Sequence, residues 1–65
     1  MAHAPIDIPT QLLDRGRRID FINWLVTIPV PITVKRSLAR TWRTESGGTL
    51  SRTDYQIIEA SRADA

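Results

Sequence analysis

The sequence predicts a small all-α domain in which three helices follow an extended N-terminal arm. Three segments carry apolar residues at helical spacing, and prolines or paired glycines separate them. A chain of 65 residues is long enough for one domain only. We predict helices over about 11–27, 34–46 and 52–62, an arm over 1–9 and a frayed tail over 63–65.

Two prolines and a capping residue define the arm and the start of the first helix. Pro5 and Pro9 each remove a backbone donor and bias the preceding residue away from helical conformation, so the arm is predicted to be extended. Ile6 and Ile8 are then available to pack on the domain or on a neighbouring molecule. Thr10 is a suitable N-cap for the helix that follows.

The two halves of the first helix differ in character. The first half is amphipathic, with Leu12, Gly16 and Ile19 on one face. Glycine destabilises a helix interior by about 1 kcal/mol relative to alanine, so Gly16 marks either a close helix crossing or a break. The second half, from Phe21 to Ile28, is apolar almost all round, which is typical of a buried helix.

The second helix is predicted between a proline pair and a glycine pair. Pro29 and Pro31 end the first helix, and Thr33 is the expected cap of the second. Gly47 suits the left-handed position that ends a helix. The apolar face of this helix repeats at i, i+4 and i+8 and consists of Val34, Leu38 and Trp42.

The third helix is predicted from a sequence that resembles a capping box. Ser51 and Asp54 have the required spacing, with aspartate in place of the usual glutamate or glutamine. The helix is expected to bury Tyr55, Ile57 and Ile58. The threonines of this region support a second interpretation, because threonine favours strands and Ser46-Gly-Gly can turn a hairpin. That alternative is an α+β fold with a hairpin over about 40–54.

Composition argues against an enzyme, a metalloprotein and a cofactor-dependent protein. The chain has no cysteine, and its single histidine is His3, so neither disulfides nor a structural zinc site is expected. The seven carboxylates are scattered, and none pairs with another at helical spacing to form an acid–base couple. A domain this small is marginally stable alone, so self-association, most simply as a homodimer, or a protein partner is expected.

The N-terminal segment and the longest apolar run bear on localisation. The N-terminus lacks the basic and apolar regions of a signal peptide, and no run reaches the 18 apolar residues of a membrane-spanning helix. The expectation is a cytoplasmic protein. The net charge of +2 is mild, so nucleic-acid binding has to come from local clusters of arginine.

The apolar run over residues 21–34 is the candidate protein-binding segment. It can form the core, a docking surface with partly exposed aromatic residues, or a membrane-surface segment; the prolines disfavour the last. Asn23 can fix the register of a symmetric helix pair. The candidate partner-binding residues are Phe21, Trp24, Leu25, Ile28 and Val30.

Basic residues on the second and third helices suggest an alternative, nucleic-acid-binding function. Arginines on the second helix recur at i, i+4 and i+7, with Lys35 nearby, while Glu45 and Glu59 can neutralise part of this stripe. The pair of helices suggests a helix-turn-helix, although the turn lacks the small residue that the motif usually carries. The candidate residues are Arg36, Arg40, Arg43, Arg52 and Gln56.

The favoured hypothesis is a small protein–protein interaction module that acts as a regulator, inhibitor or accessory subunit of a larger complex. Short, cysteine-free chains of mixed charge are typical of phage and bacterial accessory proteins. The alternative hypothesis is a small helix-turn-helix-like DNA-binding regulator. The two differ in which surface carries function, the apolar run or the arginine stripe.

Overall fold

The computed structural model describes residues 6–62, and this part of the chain is built from three α-helices and no strand. The all-α prediction is therefore confirmed, and the hairpin over 40–54 is wrong. The predicted tail over 63–65 and most of the arm lie outside the described residues. The helices are α1 (Arg18–Thr27), α2 (Ile32–Ser46) and α3 (Arg52–Ala60).

Helix α1 begins at Arg18, well after the predicted start near residue 11. The preceding segment forms two short 3-10 turns, Thr10–Leu12 and Arg15–Arg17, so Thr10 does not cap an α-helix. Between them Asp14 is extended, and its Oδ1 accepts a hydrogen bond of 3.0 Å from the Gly16 N–H. Such a local side-chain hydrogen bond competes with the backbone hydrogen bonds of an α-helix. Of the two predictions for Gly16, a close helix crossing or a break in the helix, the break is therefore correct.

Helix α2 begins two residues earlier than predicted. Pro31 occupies its N-cap position, and the Pro31 carbonyl accepts from the N–H groups of Val34 and Lys35. Thr33 lies inside the helix, and its predicted role as the cap is wrong. At the other end Gly47 has φ 75°, and its N–H donates to the Arg43 carbonyl at 3.1 Å, as the left-handed cap predicts.

Helix α3 begins with the predicted capping box. The Asp54 N–H donates to Ser51 Oγ at 3.1 Å, and the Ser51 N–H donates to Asp54 Oδ2 at 2.9 Å. Two backbone donors are thus satisfied reciprocally. The helix ends at Ala60, two residues before its predicted end.

The core is centred on two stacked aromatic rings. Trp42 and Phe21 are completely buried, with ring centroids 5.1 Å apart and planes 10° from parallel. Trp42 Nε1 donates to the Leu12 carbonyl at 2.7 Å, which attaches the 3-10 segment to α2. Gly48 lies against the same ring, since a Cβ there would be 2.6 Å from Trp42 Cη2. The other buried apolar residues are Ile8, Ile22, Leu25, Leu38, Ala39 and Ile58.

A buried lysine on α2 connects this helix to the C-terminal ends of α1 and α3. Lys35 was predicted to lie near the basic stripe, but it shares the core face of α2 with Leu38 and Trp42 and is 2% exposed. Its Nζ donates to the carbonyls of Val26 and Ser61, each at 3.2 Å, and to Ser61 Oγ at 3.0 Å. All three donors of the ammonium are therefore used at the C-terminal ends of α1 and α3, where the helix dipoles favour positive charge.

Candidate protein interaction surface

The structure divides the predicted partner-binding residues between the core and the surface. Phe21 and Leu25 are 0% exposed, so the interpretation of these two residues as core is confirmed and the alternative, that they are partly exposed for docking, is wrong. Their burial follows from the packing of α1 on Trp42. Trp24, Ile28 and Val30 are half-buried, and they are the members of the set that remain accessible from solvent.

A more exposed apolar surface lies between α1 and α3. The most exposed large apolar side chains of the helices are Ile19 on α1, at 62%, and Ile57 on α3, at 45%. They border a groove of about 280 Å³, which we call the α1–α3 groove. Its lining is completed by the buried Ile22, by Asn23 and by the Arg18–Asp54 pair.

Sequence reasoning missed this groove because it assigned Ile57 to the core. Adjacent residues on a helix point about 100° apart, so a helix that packs along one narrow face buries one of the two more than the other. The structure buries Ile58 and leaves Ile57 exposed. The neighbouring isoleucines were the signal available in the sequence. Ile19 was predicted to lie on the apolar face of a longer first helix. Because α1 begins only at Arg18, after a 3-10 turn, that predicted face does not continue from Leu12 to Ile19.

An ion pair in the lining of the groove links α1 to α3. Arg18 Nη1 donates to both carboxylate oxygens of Asp54, at 2.7 and 2.8 Å. Burial acts to raise the pKa of Asp54, but hydrogen bonds from Ser51 and Arg18, together with the charge of Arg18, outweigh it. They hold the pKa of Asp54 below its ordinary value of 3.8.

We expect Asp54 to contribute stability at neutral pH that is lost in acid. Because its folded-state pKa is depressed, the contribution is fully present above the ordinary pKa and declines as the pH falls through the folded value. Asp54→Asn should lower the free energy of unfolding by about 1–3 kcal/mol near pH 7. The difference in free energy of unfolding between the native chain and the variant should be smaller near pH 3 than near pH 7, measured by urea denaturation at both pH values. A difference that does not change with pH would contradict the proposed contribution of the Asp54 carboxylate.

The arginine stripe lies along the edge where α2 meets α3, and the structure neutralises part of it. Arg36 donates from Nε and Nη2 to Glu59 at 2.6 and 2.8 Å, as the sequence suggested for this glutamate. The hydrogen bonds raise the pKa of Arg36 and lower that of Glu59. Arg43 donates to the Tyr55 hydroxyl at 3.1 Å, whereas Arg40 has no partner within residues 6–62.

The α3 members of the alternative nucleic-acid set are exposed near this edge. Arg52 and Gln56 lie one turn apart on α3, beside the row formed by Tyr55 and Glu59. The five predicted residues are therefore on neighbouring helices. The Arg36–Glu59 pair places a carboxylate among them, which weakens their attraction for phosphate.

Comparison with protein-family models, curated proteins and solved structures finds no match for this chain. Among residues 6–62, no helix is long and apolar enough to cross a lipid bilayer. The same part of the chain holds no cluster of three or more potential metal-binding side chains.

Proposed function

We propose that this chain is a protein–protein interaction module that pairs with a second copy through the α1–α3 groove. The observation that carries the proposal is the exposure of Ile19 and Ile57 on either side of an apolar groove. Isolated exposed apolar residues are ordinary, but two that flank one concave site are typical of an interaction surface. The pair then serves as a cytoplasmic regulator, inhibitor or accessory subunit of a larger complex.

The chemistry of the groove favours a second copy as its occupant. If two copies are related by a twofold axis, the exposed Ile19 side chain of each protomer can enter the groove between Ile19 and Ile57 of the other. Asn23 is exposed one turn after Ile19, and its amide both donates and accepts, so it can pair with its own copy across the axis. The net charge of +2 per chain gives little electrostatic repulsion between copies.

The energetics of a small domain also favour pairing. The described core holds eight buried apolar residues, and the fold has no disulfide to supplement it. A standard interface buries about 800 Å² on each partner. That is roughly a sixth of the 4650 Å² accessible surface of this chain.

The half-buried residues of the apolar run are available to bind the larger complex. Trp24 lies on α1 three residues after Phe21, on the flank away from Ile19 and Asn23. Ile28 and Val30 are also half-buried, and none of the three residues lines the groove, so pairing through the groove leaves them accessible. Partly exposed tryptophan is among the residues that dominate protein-binding energies.

The test of pairing is solution mass with variants on either side of the groove. The native chain should have twice the 7.4 kDa mass of one chain, and the dimer should persist at high salt because its contacts are apolar. Ile57→Asp and Ile19→Asp should each shift the mass to that of the monomer while retaining the helical circular dichroism spectrum. A monomeric native chain, or a dimer that survives both substitutions, would reject the proposal.

The matched control also addresses the DNA-binding alternative. Arg40 is exposed and has no partner within the described chain, and the other exposed members of the set, Arg52 and Gln56, are on α3. Arg40→Glu should leave the dimer intact. If this variant instead abolishes an interaction with duplex DNA that weakens steeply with added salt, the helix-turn-helix-like hypothesis is favoured.

A further inference from the structure

A second concave site lies where the 3-10 segment, the start of α1 and the α2–α3 turn meet. Its volume is about 300 Å³, and it is lined by Arg15, Arg18, Gly47, Gly48 and Thr49. We call it the Arg15–Gly48 cavity. It is at the lower end of the size range of ligand pockets, about 300–1,000 Å³, so it suits a small ligand.

The side chains of this cavity offer guanidinium donors that the fold leaves unused. Arg15 has no hydrogen-bond or ion-pair partner within residues 6–62. Arg18 uses only Nη1 for both bonds to Asp54, so its Nη2 and Nε have no acceptor in the same part of the chain. Two guanidinium groups at one concave site are well matched to a tetrahedral anion, because each presents planar, charged donors.

The glycines make the backbone part of the wall. A Cβ at Gly48 would be 2.6 Å from Trp42 Cη2 and 3.0 Å from the Arg15 Cβ, so no side chain can cover the turn at this point. The Gly48 N–H is already bound to Ser46 Oγ at 3.0 Å. The N–H and hydroxyl of Thr49, by contrast, have no protein partner within the described residues.

We propose that the Arg15–Gly48 cavity binds a phosphate group, held by the guanidinium groups of Arg15 and Arg18 and by the N–H and hydroxyl of Thr49. The ligand is either free inorganic phosphate or a small phosphomonoester, since both present the same oxygens to these donors. This site is separate from the proposed dimerisation groove, although Arg18 borders both.

The experiment is a titration of the isotope-labelled chain with inorganic phosphate, followed by the NMR shifts of the Gly47, Gly48 and Thr49 amides. The matched variants are Arg15→Gln, inside the cavity, and Arg17→Gln, an exposed neighbour whose Nη1 pairs with Asp20 at 3.2 Å. The native chain and Arg17→Gln should show saturable shifts. Arg15→Gln should bind at least about tenfold more weakly, because it loses a charge-assisted hydrogen bond. Arg18 is left intact so that the result does not depend on the groove.

Two outcomes would overturn the proposal. If sodium chloride at equal ionic strength reproduces the shifts, the cavity has no preference for phosphate. If Arg15→Gln binds phosphate as the native chain does, Arg15 serves only to offset the negative end of the α2 dipole. A parallel titration with phosphoserine distinguishes the source: tighter binding than inorganic phosphate indicates a phosphomonoester, and equal or weaker binding indicates the free ion.

Discussion

Replacement of Trp42 with alanine is expected to lower the free energy of unfolding by about 3–5 kcal/mol. The side chain is completely buried, stacks on Phe21 at 5.1 Å and binds the Leu12 carbonyl through its indole nitrogen. The substitution therefore removes apolar burial, opens a cavity and leaves a carbonyl without its donor. Chains of this length have a total stability of about 3–10 kcal/mol, so the variant should lose a large share of it and unfold at a much lower urea concentration.

Trp24 provides the matched control for this substitution. It is half-buried, and its ring lies 6.0 Å from that of Phe21 in a tilted arrangement. Trp24→Ala should cost about 1–2 kcal/mol, since less apolar surface is lost and no buried donor is removed. Urea denaturation followed by circular dichroism measures both variants at one protein concentration. A larger loss for Trp24→Ala than for Trp42→Ala would mean that the core is centred elsewhere.

Replacement of Lys35 with methionine is expected to cost about 2–4 kcal/mol. Methionine keeps an apolar stem of similar length but has no ammonium to donate to the carbonyls of Val26 and Ser61. Those carbonyls are at the C-terminal ends of α1 and α3, and each would lose a charge-assisted hydrogen bond at a site that the lysine covers. The measurement is the free energy of unfolding in urea.

Arg40→Met is the control for the lysine substitution, because it removes a positive charge from an exposed position on the same helix. It should change stability little. Ser61→Ala removes one of the three acceptors of Lys35 and should cost less than Lys35→Met. If Lys35→Met is as stable as the native chain, the buried ammonium does not stabilise the helix ends.

The sequence predicted those features of the fold that local chemistry determines. Proline and glycine positions separate the helices, and the Ser51–Asp54 capping box and the left-handed Gly47 form as their residue types require. The predicted start of α1 was wrong because a hydrogen bond from the Gly16 N–H to Asp14 replaces the backbone hydrogen bonds of an α-helix there. That bond depends on one side-chain conformation, which hydrophobic periodicity does not report.

The surface sites depend on helix phase and on packing, and sequence predicted them less well. Phe21 and Leu25 were possible as core or as docking residues, and only the position of Trp42 assigns them to the core. Lys35 shares the i, i+3, i+4 and i+7 face of Leu38, Ala39 and Trp42, so its burial was visible in the spacing. Its carbonyl acceptors come from distant elements, and those could not be predicted.

The burial of Lys35 gives the protein an internal reporter of its own unfolding. It is the sole lysine of the 65-residue sequence, so apart from the α-amino group it is the one primary amine. In the folded chain its Nζ is enclosed and fully hydrogen-bonded. The rate at which an acylating reagent reaches this residue therefore measures how often the ends of α1 and α3 separate from α2. Amine-directed cross-linkers, for the same reason, are poorly suited to trapping its assemblies.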